Sequence, residues 1–354
     1  MSHLFSPLSL RSLTLPNRIG VSPMCQYSAV DGVPQPWHLV HLGGLATGGA
    51  GLVFTEATAV EARGRISPED TGIYTAEQVE AWRPIAAFIR SQGAVPAMQL
   101  AHAGFKASTY APFADHDGAV PPAEGGWTPV APTGRAFIES YPVPERLTGP
   151  QIEEIIGHFA EAAARAVDAG FGVVEVHAAH GYLLHEFLSP LSNDRTDSYG
   201  GSLENRMRLP IAVVEAVRAS VGPDVPVLVR ISASDWVEGG WSIADSVVLA
   251  RRLRAAGADL IDCSSGGVAA KADIPVGPGY QVSLARQVRA EAEIPTAAVG
   301  MIAAVEQAEQ ILAEESADVV LLGRELLRDP RWPHKAALTL GELPNPPAQY
   351  RRAF

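Results

Sequence analysis

The segment His177-Ala-Ala-His180-Gly-Tyr182 places two imidazoles and a phenol within six residues. Three kinds of chemistry are open to such a set. A buried histidine can simply be a hydrogen-bonded part of a core. Two histidines can ligate a metal, but that needs a third protein ligand, and neither an HExxH nor a CxxC pattern accompanies them, so no metal is expected. The third option is two rings converging on one substrate oxygen to stabilise developing negative charge, with Tyr182 as a proton donor beside them. A tyrosine at the same strand end favours this last reading. Cys25 could act as a nucleophile, fill a small buried space or touch a cofactor without bonding to it, and no Cys–His spacing marks a protease-like pair. Gly300 and Gly323-Arg324 would let a backbone approach a phosphate, although glycines there also suit tight turns.

These residues sit at the ends of a recurring pattern. Eight short apolar runs cover residues 19–24, 51–57, 94–101, 172–178, 225–232, 260–265, 294–301 and 318–324. Their near-continuous hydrophobicity suits strands covered on both faces. Amphipathic stretches alternate with them. Capping boxes at Thr75–Gln78 and Thr148–Gln151 open two of these, and Gly170 and Gly257 suit left-handed helix ends. Strict strand–helix alternation predicts a parallel sheet, and eight units fit one closed (β/α)8 TIM barrel, an α/β fold, better than an open doubly wound sheet. A barrel gathers strand ends into one cup. There the chain carries Met24 to Tyr27, Glu56-Ala57, Gln99 and His102, His177 to Tyr182, Arg230, Ser264 to Gly267, Gly300 and Gly323-Arg324.

Two connections exceed the usual loop of about 4–6 residues. Residues 105–147 include seven prolines, and residues 183–203 follow the fourth strand. Both follow a strand, so both are expected over the C-terminal mouth as a lid or pocket wall. No glycine-rich strand–turn–helix fingerprint is present. GGLATGGAG (43–51) precedes a strand, so a nicotinamide cofactor, if used, must visit the mouth.

Composition narrows the partners. The 354 residues hold 27 Lys and Arg against 39 Asp and Glu, a net charge of −12, which disfavours nucleic acid and anionic membrane surfaces. No run approaches the ~20 apolar residues of a spanning helix, and the N-terminal stretch lacks a signal-peptide core. Cys25 and Cys263 alone make no disulfide framework or iron–sulfur site. A reduced cytoplasmic protein is expected. The whole of 1–354 is read as one barrel domain, with a capping insertion at about 105–147 and a C-terminal tail at about 341–354.

SPMCQYS (22–28), QLAHAG (99–104), the thirty residues from His177 to Arg206, LVRISASD (228–235), DCSSGG (262–267) and GRELLRDP (323–330) together resemble the Old Yellow Enzyme family of FMN-dependent ene-reductases. The similarity is to its short, thermophilic-like bacterial branch and runs from about Leu4 to Phe354. It implies an FMN-bearing barrel that consumes NADPH and reduces alkenes activated by a carbonyl or nitro group in a ping-pong cycle. Hydride would pass from flavin N5 to the β-carbon, with a proton from Tyr182.

By matching position, the resemblance puts Ser22, Pro23, Met24, Cys25 and Ala57 at the flavin ring, Gln99 at its pyrimidine edge and Arg230 near N1. Ser265, Gly267, Gly300, Gly323 and Arg324 would serve the ribityl phosphate. His177 and His180 would hold the substrate oxygen, Tyr27 would contact substrate, and Cys25 would tune the flavin. Arg352 would reach a neighbouring subunit's pocket in a homodimer or homotetramer. The chain departs from the branch in two places. It ends Tyr-Arg-Arg-Ala-Phe where relatives often end Gly-Trp, and Phe105 stands where a basic residue is usual, which would make the mouth more apolar. A flavin-free, phosphate-binding barrel aldolase or isomerase is the rival reading; Lys106 and Lys271 lie beyond strand ends where a Schiff-base lysine would be wanted. A non-catalytic binding role is the third possibility.

Overall fold

Apolar residues on both faces of each short run leave a strand nowhere to go but between two layers, and the eight runs do become the inner wall of a closed parallel barrel. The computed structural model describes residues 2–354. The barrel strands are β1 (Ile19–Val21), β2 (Leu52–Ala59), β3 (Val95–Ala101), β4 (Val173–Ala178), β5 (Val227–Ser232), β6 (Leu260–Ser264), β7 (Thr296–Val299) and β8 (Val319–Leu322). Pairing of β8 with β1, Val320 opposite Ile19, closes the ring and excludes the open sheet. The flanking helices after the strands are α1 (Pro36–Ala46), α2 (Ala76–Ser91), α3 (Gly149–Asp168), α4 (Leu203–Val221), α5 (Ile243–Ala255), α6 (Val282–Ala292), α7 (Val305–Ala313) and α8 (Trp332–Thr339), with shorter helices at Leu183–Leu188 and Arg324–Arg328.

Local chemistry sets the helix starts. Thr75 accepts from Gln78 N while the Gln78 side chain accepts from Thr75 N, and Thr148 with Gln151 repeats the box at α3. Gly170 and Gly257 take the left-handed conformation just past α3 and α5. The helices bury one stripe each. Ile152, Ile155, Phe159, Ala162 and Ala166 of α3, for example, join the core between helices and barrel wall.

The floor of the barrel was not legible in the pattern. Leu8–Leu10 and Leu13–Leu15 form an antiparallel hairpin with Leu10 paired to Leu13. Leu10 and Leu15 join Leu52, Phe54, Ala97, Val173, Leu228, Leu260, Ala297, Val319 and Leu321 in a separate cluster inside the strand starts. Bottom-side packing is therefore sealed, and only the C-terminal end remains open for chemistry.

The two long segments behave differently. From the insertion at 105–147, Trp127 packs with Cys25, Tyr27 and Tyr182 around Ile66, so this segment does form a wall of the mouth. It is pinned internally by a two-residue parallel pairing of Val130–Ala131 with Glu145–Arg146. Residues 183–203 do not form a flap. Leu183–Leu188 makes a short helix whose six residues are all buried. The Asn193 amide donates to the carbonyls of Phe187 and Tyr199, which folds the segment inward. Its run of Leu183, Leu184, Phe187 and Leu188 explains the difference, since these side chains join the core.

Candidate active site at the barrel mouth

Register brings the polar residues together before any side chain is considered. Gln99 lies opposite Ala57 on β2 and Glu175 on β4, and His177 lies opposite Arg230, which in turn lies opposite Asp262. A register shift in β2 between Phe54 and Ala57 sets Ala57 beside Gln99.

The His177 ring meets the His180 ring edge-on at 5.2 Å and the Tyr182 ring at 5.1 Å. The structure brings these three side chains together. Among the described residues neither ring nitrogen of His177 finds a hydrogen-bond partner, and its Nδ1 is buried. His180 Nε2 lies 2.6 Å from Ser264 Oγ, and its backbone N–H donates to Ser232 Oγ at 2.9 Å. Burial, with the Arg230 charge second, pushes both imidazoles well below the usual histidine range, so both are neutral. Burial also pushes the Tyr182 phenol well above its ordinary value, reinforced by Cys25 and Tyr27, so it keeps its proton. Tyr27 shows the same direction and contacts the Phe113 ring edge-on at 5.8 Å. For Cys25, burial and the nearby Asp70 and Glu56 carboxyls push the thiol well up. A neutral thiol is a poor nucleophile, which favours the readings of Cys25 as a small packing residue or a noncovalent cofactor contact. Among the described residues no three His, Cys, Asp or Glu side chains gather as metal ligands.

Arg230 is anchored from below. Its Nε lies 2.9 Å from Asp262 Oδ2 and its Nη2 donates to Ser22 Oγ at 3.2 Å. Gln99 donates through Nε2 to Glu175 Oε1 at 2.8 Å, and its own side-chain oxygen accepts nothing among the described residues. These groups, a held guanidinium and a free amide oxygen, match the donors and acceptors along a flavin's pyrimidine edge. Met24 lies beside Gly323, with its sulfur 3.6 Å from where a Cβ would stand.

Gly300, Gly323 and Arg324 line one cavity of about 450 Å³, together with Met301, Gln307 and Arg328. Arg324 is exposed and pairs with no carboxylate among the described residues, so its charge is free for a phosphate. The same residues fit a ribityl phosphate. Ser265 and Gly267 do not line this cavity, although Ser265 is joined through Gln281 to Gly300. Ser265 Oγ donates to Gln281 Oε1 at 2.6 Å, and Gly267 packs on the His180 backbone, where a Cβ would come within 2.6 Å. Phe105 is buried with Phe137, Ala131, Val268 and Leu191 instead of lining the mouth, so it adds to the insertion's packing.

The sequence pattern did not reveal the roles of Asp262, Ser264, Gln281 or Trp127. An acid inside the run Leu-Ile-Asp262-Cys-Ser was the one available signal, since an ionisable residue in a doubly covered strand calls for a partner. The tail lies far from its own mouth. Phe354 packs on His334 of α8 at 5.0 Å, and His334 sits against Gly49 at the start of β2. Arg352 is exposed there.

Comparison with known proteins agrees with this geometry. The profile of a family described as NADH:flavin oxidoreductase / NADH oxidase matches residues 3–342. An NADPH dehydrogenase of Bacillus velezensis is 46% identical over 354 residues, covering 99% of each chain. Its counterpart in Bacillus subtilis is 44% identical over 353 residues, again with 99% of each covered. Morphinone reductase in complex with tetrahydroNAD superposes with a TM-score of 0.78 at 29% identity, over 98% of this chain and 93% of that one. A 2-naphthoyl-CoA reductase in complex with 2-naphthoyl-CoA gives 0.86 at 26% identity; it covers 96% of this chain, which spans only 52% of that longer one.

Proposed function

Because the chain belongs to the NADH:flavin oxidoreductase / NADH oxidase family, we propose that this oxidoreductase is an FMN-dependent, NADPH-consuming reductase of alkenes activated by a carbonyl or nitro group. The observation that carries this reading is the meeting of two neutral imidazoles and a protonated phenol at the open end of the barrel. FMN, when bound, would supply the two-electron step, taking hydride from NADPH and giving it to the electron-poor carbon.

The chain's own residues do the rest. His177 and His180 donate to the substrate oxygen without charging, so negative charge developing there is stabilised without losing the donors' protons. Tyr182 holds its proton until a basic carbon forms beside it. Arg230, fixed by Asp262 and Ser22, offers a positive charge to the flavin edge that becomes electron-rich on reduction, and Gln99 accepts from the same edge. Ser22, Pro23, Met24, Cys25 and Ala57 would line the ring, with Gly300, Gly323 and Arg324 on the phosphate. Tyr27 and Trp127 close the substrate side. Two unbridged cysteines suit a cytoplasmic setting. Because the tail docks at the strand starts of its own barrel, Arg352 would complete only another subunit's pocket, in a homodimer or homotetramer.

The test is anaerobic. NADPH should bleach the yellow holoprotein, and enones, maleimides or nitroalkenes should restore the colour. A chain that rejects FMN, or a bleached one that no activated alkene reoxidises, refutes the reading.

A further inference from the structure

Lys106 has no part in the chemistry above, yet it lies at its centre. Its Nζ donates to the carbonyl of His180 at 2.8 Å and to the carbonyl of Gly267 at 2.5 Å. It lies 4.3 Å from the centroid of the Phe137 ring and 5.7 Å from that of Tyr182. The two carbonyls belong to different loops, after β4 and after β6. No other donor among the described residues serves either of them.

The two loops touch backbone to backbone. A Cβ on Gly267 would stand 2.6 Å from His180 Cα, and one on Gly181 would stand 2.3 Å from the Gly267 oxygen. His180 itself has φ of 60°, in the left-handed region that a residue with a Cβ occupies only when its surroundings hold it there. Two carbonyl dipoles pressed together repel each other unless a shared donor sits between them.

We propose that Lys106 is a positioning residue, whose ammonium ties the His180 carbonyl to the Gly267 carbonyl and so holds the turn from which the His180 ring is aimed. This rests on the reading of His180 as a substrate contact. Phe137, from the capping insertion, covers the ammonium and packs on Phe105 at 5.2 Å. Packing of the insertion is thereby linked to the aim of the histidine.

The same arrangement makes the tie sensitive to pH. Burial brings Lys106 down to about 8, with the Glu186 carboxyl acting in the opposite direction. The other groups facing this region are His177 and His180, both neutral, the protonated Tyr182, Tyr141 packed on Phe137, His185 of the short helix and Arg230 on β5, and burial pushes the Glu186 carboxyl itself well up. The charge on the tie is therefore lost as pH rises through about 8.

The test compares wild type, K106M, K106R and H180A as FMN holoproteins, with cyclohex-2-enone as the probe. Its dissociation constant is read from flavin absorbance, and the His180 imidazole from ¹⁵N-histidine NMR. Leaving two half-buried carbonyls without a donor should weaken enone binding about tenfold in K106M and shift or broaden the His180 signal, and K106R should restore most of both. Wild-type affinity should fall as pH passes about 8, whereas K106R should stay level. An unchanged His180 signal in K106M overturns the proposal. If H180A binds the enone as wild type does, the substrate role of His180 fails instead, and the K106M signal still decides the role of Lys106. Should K106M fail to accumulate, parallel pH profiles of wild type and K106R overturn the proposal.

Discussion

Replacing Asp262 with asparagine should cost far less than the loss of a buried ion pair ordinarily does, and the reason lies in Glu175. Asp262 is fully buried and Arg230 is 5% exposed, with 2.9 Å between the paired atoms. Breaking such a pair from one side typically costs about 3–5 kcal/mol, because the remaining charge is stranded. Here a second carboxyl is available. Glu175, also fully buried, is pushed up to about 8 by burial first and by Asp262 second, against the pull of Arg230. Once Asp262 is neutral, its repulsion disappears while the pull of Arg230 remains, so Glu175 ionises more readily, against the burial that still opposes it, and serves as the replacement counter-ion. D262N alone should therefore cost about 1–2 kcal/mol. E175Q should not destabilise at pH 7, since it puts an amide of the same shape where the fold holds a neutral acid and removes the cost of keeping that acid protonated. The double variant strands Arg230 and should cost about 3–5 kcal/mol, leaving a coupling of about 2 kcal/mol in the cycle. Denaturant unfolding of the four apoproteins at pH 7 measures each term without cofactor linkage. Simple addition of the two single costs would refute the shared-counter-ion argument.

Glu175 also sets a pH dependence: its folded value of about 8 lies above its ordinary 4.5, so its contribution to stability is full below about 4.5 and lost as pH rises through about 8. The stability of wild type relative to E175Q should fall across that window, and a flat difference in unfolding measured from pH 5 to 8 contradicts the assignment. Y182F should slow alkene saturation by about 10²–10⁴ while slowing flavin reduction by NADPH much less; stopped-flow measurement of both half-reactions checks this, and equal losses would remove Tyr182 as the proton donor. R324A should weaken FMN binding by about ten- to a hundredfold, as expected for loss of a hydrogen bond to a charged group. Fluorescence titration of apoprotein with FMN reads this, and an unchanged dissociation constant excludes Arg324 from the phosphate site.

Much of the site could be read because a parallel barrel converts position along a strand into position in space. Once eight runs were recognised, His177, Arg230, Gln99 and Ala57 had to share one end, and the structure shows them as neighbours in register. The resemblance of the motifs supplied the cofactor and the roles, which spacing alone had left open among core, metal and clamp. The assignments that shifted depend on loop geometry. Gly267 reads like a phosphate-binding glycine, and its left-handed turn also brings it against His180. Phe105 reads like a mouth residue, but its ring finds Phe137 inside the insertion.

What the sequence determined by itself was periodic or local: strands covered on both faces, capped helices between them, an acidic surface and a cup of histidines and tyrosine. Tertiary structure decided which distant groups meet. Leu10 and Leu15 became the barrel floor, Asp262 became the anchor of Arg230, and Lys106 came to bridge two loops. The physical reason is that a strand or helix is specified by neighbours a few residues away, whereas a buried charge finds its partner only after folding has removed water and left one acceptor within reach.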